Sequence, residues 1–482
     1  MIETSNTVER AIEAAKPVIE DLAKRLLRDE PALEASLEFG PMVRQGAPSV
    51  PSLIICDQSG TELFDPGAAG RLEHRMALLA KAGDTVVVRE RVPEFEQYLG
   101  DYLGIRDVSF VEAEPRDADS VARQLRVNPK LASLLGEALP DGTALTVQSY
   151  LTNGYTWHLA KALADCRQTP VSVAGPTSRA SKHANDKLWF WSVVRTLTGK
   201  DSTPPTLYAF GPAAAAAKVA RFARDFSSVV VKAPSSAGGR GNLRFQSAQL
   251  EKMRLTEIRD VIEQRLRAVG WRGTYPILIG VWESGITASP SAQMWLPKKD
   301  EGLPQILGLF EQRVEGSRGR FSGAQPAILP DDIAQEFLAE AAIIGALLQR
   351  IGYFGACSLD AVIRETPNRR SELHWVECNG RWSGVSIPLA AARRFRGDDT
   401  QNGLLIVQDI FPELKPIGTR ALLDLLDELA FRSRASEEGI VIVSPPNRAA
   451  DVSLNVMALA KTQPRAAEMV EELRRRLGLG AA

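Results

Sequence analysis

One local pattern constrains this chain more than any other. Gly355 to Ile363 is mostly apolar and ends in Arg364-Glu365. A turn-rich break, Thr366-Pro367-Asn368-Arg369-Arg370-Ser371, follows, and then a second strand-like run, Leu373-His374-Trp375-Val376. The spacing predicts a β-hairpin centred between Asn368 and Arg369, which sets Asp360 opposite Glu377. Facing residues of an antiparallel pair have Cβ atoms about 4.5–5.5 Å apart, and like charges there repel. A divalent cation removes that penalty. Strand alternation also puts Glu377, Asn379 and Arg381 on one face and turns Cys378 to the other. Two carboxylates, an amide oxygen and a guanidinium then converge, a set that suits Mg²⁺ with a polyphosphate.

The rest of the chain is ordinary enough to exclude several classes. Its 482 residues are enough for two to four domains with sizeable cores, and 44% hydrophobic with 24% charged residues is a globular composition. A net charge of -1 gives no field that would draw nucleic acid or an anionic membrane. Met1-Ile2-Glu3-Thr4 lacks the basic-then-apolar pattern of a signal peptide, and the apolar run near Ala341–Leu348 is too short to span a bilayer. Cys56, Cys166, Cys357 and Cys378 are scattered and read as small buried hydrophobes. The four histidines, His74, His158, His183 and His374, show no metal-ligand spacing. A cytoplasmic protein is the expectation.

Three segments emerge. Residues 1–40 predict an amphipathic helix through Val18, Ile19, Leu22, Leu26 and Leu27. Buried-strand runs at Ser52–Cys56, Asp84–Val88, Val108–Val111 and Ala144–Val147, with a helix over Arg71–Ala82, predict a parallel layered α/β domain spanning 1–176. A second domain, 177–405, opens with a helix carrying Lys187-Leu188-Trp189-Phe190-Trp191. It continues with strands at Ser228–Lys232, Pro276–Trp282, Ala292–Leu296 and Gly308–Arg313, a helix at Ile333–Ile351 and the hairpin. A small C-terminal domain, 406–482, holds a helix at Arg420–Phe431, a strand at Gly439–Val443 and a charged helix at Ala466–Leu477.

Lys232 ends a β-branched strand and feeds into Ser235-Ser236-Ala237-Gly238-Gly239-Arg240-Gly241-Asn242. Such a loop can cradle phosphate oxygens with backbone N–H groups, or be a plain flexible hairpin loop; the residues alone leave both open. The patterns GxxxxGK[ST] and GxGxxG are absent. Asn185-Asp186-Lys187 precedes the aromatic helix, and Val281-Trp282-Glu283 ends an apolar strand before the break Ser284-Gly285. Arg313, Arg318 and Arg320 form a basic cluster that could clamp an anion or lie in a solvated loop.

The order of these elements is what resembles a known group. Asp-Lys, a strand-end lysine with a Gly-rich loop, Val-Trp-Glu at a strand end, and Asp followed by Glu-x-Asn-x-Arg is the succession of the ATP-grasp ligases, over about residues 180–400. The wording Ser-Ser-Ala-Gly-Gly-Arg-Gly and Glu-Cys-Asn-Gly-Arg, with the three-part layout, is most similar to the pheganomycin-type peptide ligases. Asp360 departs from the glutamate many relatives carry, which shortens the reach to the cation. The implied architecture is α/β and α+β multidomain: a Rossmann-like pre-ATP-grasp domain, an ATP-grasp fold and a small C-terminal α/β domain.

The resemblance implies roles. Lys187 and Lys232 would touch the ATP phosphates, and Ser235, Ser236, Gly238, Gly239, Arg240 and Gly241 would cover them. Val281, Trp282 and Glu283 would line the adenine and ribose pocket. Asp360, Glu377 and Asn379 would hold Mg²⁺, expected as two ions. Arg381 would meet the γ-phosphate and the acceptor carboxylate, with Ser383 and Gly384 beside the substrate. The implied reaction turns a carboxylate into an acyl phosphate with release of ADP, and an amine then displaces phosphate. Loading of an amino acid onto a carrier-protein thiol and a non-catalytic ATP-sensing module are the alternatives. Expected partners are a small carboxylate and an amine, not nucleic acid or membrane; a homodimer stays open.

Overall fold

In the computed structural model the described residues are 2–34, 39–60, 71–113, 120–139, 142–232, 241–316, 319–366, 368, 370–397, 402–411, 414–446 and 452–479. They form three sheets, of six, four and nine strands. In the first, the strand order is Val43–Gln45, Val171–Val173, Leu145–Ser149, Ser52–Ile55, Thr85–Val88, Ser109–Glu112, and every pairing is parallel. Leu53, Ile54, Ile55, Val86, Val87 and Val147 are fully buried, as a parallel sheet covered on both faces requires.

The segment expected as a helix over Arg71–Ala82 is instead a 3₁₀ helix at Leu72–Leu79. Glu73, His74 and Arg75 are consecutive, polar and all buried there. Glu73 meets Arg89 at 3.1 Å, His74 Nε2 meets the Glu90 carbonyl at 2.8 Å, and Arg75 meets Tyr150 at 3.1 Å. Partners in such different directions do not fit one amphipathic face of period 3.6.

The helix Ile2–Asp29 packs along the helix Asp331–Arg350 through Ile19, Leu22 and Ala23. Val18 falls on its outer side and is exposed. Cys166 is also exposed, a correction to the expectation of four buried cysteines; Cys56, Cys357 and Cys378 are buried and free. No helix of the described residues is long and apolar enough to cross a membrane.

The second sheet is antiparallel, in the order Thr206–Ala209, Ile277–Val281, Ser228–Lys232, Asn242–Gln246. The third is the large one. It runs Ile286–Ala288, Gly355–Glu365, Pro290–Leu296, Gln305–Glu315, Arg320–Pro326, Leu404–Phe411, Val452–Leu459, Gly439–Ile442, with Ser371–Asn379 paired to Gly355–Glu365. The C-terminal strands therefore continue the sheet that carries the hairpin. At the junction Gly323 pairs with Val407 and Ala324 with Ile406. A Cβ on Gly323 would lie 2.2 Å from the Ile406 carbonyl oxygen, so this crossing admits glycine only. One core joins the two ends of the chain: Ile54, Met76, Phe95 and Tyr98 pack with Ile406, Leu426, Ile440 and Met457.

The hairpin register bears on the site. Asp360 faces Glu377, Leu359 faces Cys378 and Ser358 faces Asn379. Toward the tip the pairing slips by one: Ala361 faces Trp375 and Glu365 faces Ser371, with a bulge between. The tip is thus centred on Asn368, not between Asn368 and Arg369, and the extra residue Val376 restores the register that places the two acids together.

Candidate active site

Asp186 accepts from the backbone N–H of Leu188 and Trp189 at 2.8 and 3.0 Å, capping the helix Lys187–Leu197. That cap fixes Lys187 at the first helical position, where its Nζ reaches Glu377 Oε2 at 2.7 Å. Asn185, beside it, donates to the Gly380 carbonyl at 3.1 Å and accepts from Arg381. Asn185 precedes Asp186 and Lys187 in the sequence, where no pattern marks its contacts with Gly380 and Arg381.

From the four-stranded sheet comes Lys232, the last residue of its strand, paired with Leu278 and Asn242. Burial, with Lys187 nearby, lowers the Lys232 pKa, although the carboxylates of Glu377 and Glu283 act against the shift. Trp282 N–H donates to the Ser228 carbonyl at 3.1 Å, and the Arg244 guanidinium lies 5.2 Å from its ring centre. Val281 ends the strand just before it.

Glu283 is buried, with a side chain 4% exposed. His374 Nδ1 holds its Oε1 at 2.7 Å, while Oε2 has no hydrogen-bond partner among the described residues. A buried carboxylate oxygen without a donor is an acceptor waiting for one, such as a sugar hydroxyl. His374 is a residue the sequence reading missed. Its partner is 91 positions away, and only the three-dimensional meeting of the two sheets reveals it.

The acids come from the hairpin. Asp360 accepts from Ser291 Oγ at 2.6 Å and from Asn379 Nδ2 at 2.8 Å, and Gln293 backs Ser291 at 2.8 Å. Burial, and then the facing Glu377, push the Asp360 pKa up to about 6. Burial acts the same way on Glu377, but Lys187, Arg381 and Lys232 outweigh it and hold that carboxyl low. One acid is thus fully charged and the other is poised for a counter-charge.

Arg381 reaches the site by a different route from the one expected. The strand ends at Asn379, so alternation does not place Arg381. The chain bends, Arg381 N–H donates to the Asn379 carbonyl at 2.8 Å, and Nη2 folds back onto Asn379 Oδ1 at 2.6 Å. Ser383 Oγ donates to Gln293 at 3.1 Å. Gly384 lies against Phe321, Gln408 and Arg75, where a Cβ would be 3.0 Å from the Phe321 ring.

Ser235, Ser236, Gly238, Gly239, Arg240 and Arg318 lie outside the described residues; Gly241 leads into the strand Asn242–Gln246. Arg320 pairs with Glu315 at 2.9 Å and Asp409 at 3.2 Å, which gives it a structural partner set and not an anion clamp.

Among the described residues no group of three or more His, Cys, Asp or Glu side chains could hold a metal alone. Two facing carboxylates and one amide still fit Mg²⁺, which is commonly held by one or two carboxylates with substrate phosphates and water completing its shell.

Residues 73–164 match the family model of the pre ATP-grasp domain. A sequence comparison with curated proteins gives no match. Among solved structures the chain is similar to biotin carboxylase from Campylobacter jejuni at 16% identity and a TM-score of 0.53, over 88% of this chain and 91% of that one. The biotin carboxylase domain of Hydrogenobacter thermophilus 2-oxoglutarate carboxylase is similar at 15% identity and TM-score 0.53, over 88% and 89%. N5-carboxyaminoimidazole ribonucleotide synthetase from Thermus thermophilus is similar at 15% identity and TM-score 0.52, over 88% and 98%. Identities this low establish architecture alone. The chain has a mixed α/β multidomain fold, with a pre-ATP-grasp domain and the ATP-grasp fold.

Proposed function

We propose that this chain is an ADP-forming ATP-grasp ligase, which activates a carboxylate as an acyl phosphate and joins it to an amine, making a peptide or amide in specialised small-molecule biosynthesis. The observation that carries the reading is a convergence. Lys187, Lys232 and Glu283 meet Asp360, Glu377, Asn379 and Arg381 between the small and large sheets, with Lys187 touching Glu377 and Lys232 within the electrostatic reach of Glu377 and Glu283. Support comes from the similar structures: the Campylobacter enzyme is a complex with a β-γ-ATP ligand, and the Hydrogenobacter domain is a complex with MgADP, ADP and bicarbonate.

In this reading Lys187 and Lys232 bind phosphate oxygens. Glu283, oriented by His374, takes a ribose hydroxyl on its free oxygen, and Val281 and Trp282 flank the base. Asp360, Glu377 and Asn379 would hold two Mg²⁺ ions, which when bound supply positive charge to the polyphosphate. Arg381 orients the attacking carboxylate, whose oxygen bonds to the γ-phosphorus as the bond to ADP breaks. No protein nucleophile is required, because phosphoryl transfer is driven by positioning and charge. The amine then displaces orthophosphate. An ADP-release screen across amino acids and small carboxylates with amine acceptors, followed by mass spectrometry, tests the reading. ADP with orthophosphate and an amide product is expected; AMP with pyrophosphate would overturn it.

A further inference from the structure

Arg75, from the pre-ATP-grasp domain, is only 5% exposed. Its Nη2 donates to the Tyr150 hydroxyl at 3.1 Å and its Nη1 to Gln408 Oε1 at 3.3 Å. No carboxylate of the described residues lies within 4.0 Å of this guanidinium, and its buried Nε has no partner there. Arg381 differs: its Nη atoms go to the amides of Asn185 and Asn379 and its buried Nε is unpartnered among the described residues, but the carboxylates of Glu377 and Asp360 lie within its electrostatic reach. Arg75, a guanidinium held by neutral partners, is an unusual thing to bury, because a buried cation normally has an anion.

Between the two guanidinium groups sits Tyr150, 6% exposed. Its carbonyl accepts from Trp382 N–H at 3.1 Å, which ties it to the segment just after Arg381. Its hydroxyl oxygen accepts from Arg75, which leaves the O–H proton without an acceptor among the described residues. No hydrogen bond joins it to Asp360, Glu377 or Asn379 there, so it is not placed as a metal ligand. Burial alone would raise the phenol's pKa, yet Arg75 and then Arg381 outweigh that and lower it. A phenol polarised this way is a strengthened hydrogen-bond donor.

We propose that Tyr150 is a catalytic residue: its O–H donates to the carbonyl oxygen of the activated substrate and stabilises the charge that gathers there, with Arg75 behind it as a positioning residue. The inference rests on the ligase reading. The amine nitrogen forms the C–N bond while the carbonyl π pair moves onto oxygen, facing Tyr150. On collapse that pair returns, the C–O bond to phosphate breaks, and orthophosphate departs with the amine proton. Tyr150 keeps its own proton throughout.

Tyr150→Phe retains the buried ring and removes the donor. With the wild-type substrate pair, kcat should fall on the order of 100-fold, the loss typical of one oxyanion donor, with KM for ATP unchanged. Arg75→Gln should lower kcat in the same way, and the double variant should be no slower than Tyr150→Phe, since both act through one hydroxyl. Arg75→Lys, which keeps the charge, should recover part of the rate. Full kcat in Tyr150→Phe, or a loss that appears as a raised KM for ATP, overturns the inference alone. A wild-type protein that releases no ADP with any acid overturns the ligase reading and this inference together.

Discussion

The Lys187 ammonium stands 2.7 Å from Glu377 Oε2, with side chains 11% and 24% exposed, so the acid proposed for Mg²⁺ already carries a protein counter-charge. The pair links the first residue of a capped helix to the end of the hairpin, and it holds Glu377 ionised. Under the ligase reading the ammonium and the metal compete for one carboxylate. Lys187→Met should therefore tighten Mg²⁺ binding measured by calorimetry without nucleotide, while raising KM for ATP about tenfold, the equivalent of about 1.4 kcal/mol. Weaker nucleotide-free Mg²⁺ binding would show that Lys187 supports the site and does not compete.

Asp360 is costly to keep charged. Its folded pKa of about 6 stands above the ordinary 3.8, so the folded state binds the extra proton between those values and loses stability as pH rises through them. Asp360→Asn should stabilise metal-free protein at pH 8 by roughly 1 kcal/mol, read from denaturant midpoints, and should raise the Mg²⁺ needed for half-maximal rate. An unchanged Mg²⁺ titration would remove Asp360 from the metal site.

Under the ligase reading His374 acts on nucleotide through Glu283, whose Oε1 it holds at 2.7 Å. Removing it leaves a buried carboxylate oxygen unpaired, at a cost of about 1–3 kcal/mol. His374→Ala should raise KM for ATP between about fivefold and a hundredfold, with kcat within about twofold of wild type. Equal KM values would show that Glu283 does not depend on its partner.

Glu340 offers a test away from the chemistry. Trp375 Nε1 donates to its Oε2 at 2.6 Å, and burial raises its pKa from 4.5 to about 7. A raised carboxyl pKa means that the folded state holds the proton longer, so stability falls as pH climbs from 4.5 to 7 and stays lower above. Glu340→Gln keeps an acceptor for Trp375 and removes the charge. It should stabilise the protein by about 1–2 kcal/mol at pH 8, after allowance for partial exposure, and by much less at pH 4.5, read from denaturant midpoints. Equal gains at both pH values would assign the effect to packing.

Much of the site was legible because it is local. The facing of Asp360 and Glu377 follows from strand pairing, whereas Lys187 and Lys232 take their roles from the resemblance, since a lysine at a helix start or a strand end reads equally well as a solvated surface residue. The sequence reading still had the hairpin tip half a residue off; the bulge at Val376 compensated for that, and no residue type marks such a bulge. Arg381 arrived through a bend and not through alternation. The contacts of Asn185, His374, Arg75 and Tyr150 were not legible, because each meets a partner from a distant segment. The strand Leu404–Phe411 was also missed, since a buried apolar run between Arg-rich and Pro-containing stretches carries no signal of which sheet it joins.

The continuity of the large sheet has a mechanical consequence. A hydrogen-bonded plate resists hinging within itself, because several main-chain bonds must break at once. The strands Leu404–Phe411, Val452–Leu459 and Gly439–Ile442 lie in the plate that carries the carboxylates, joined across Gly323 and backed by the shared core. The C-terminal segment and the acids therefore belong to one plate. The four-stranded sheet, bonded within itself among the described residues, is a second plate, and the chain passes between the two at Thr203–Pro205 and Trp282–Gly285. Ser202, just before the first crossing, is tied to the hairpin by the Trp375 N–H at 2.8 Å, so the lysine-bearing plate is anchored to the strand that carries Glu377.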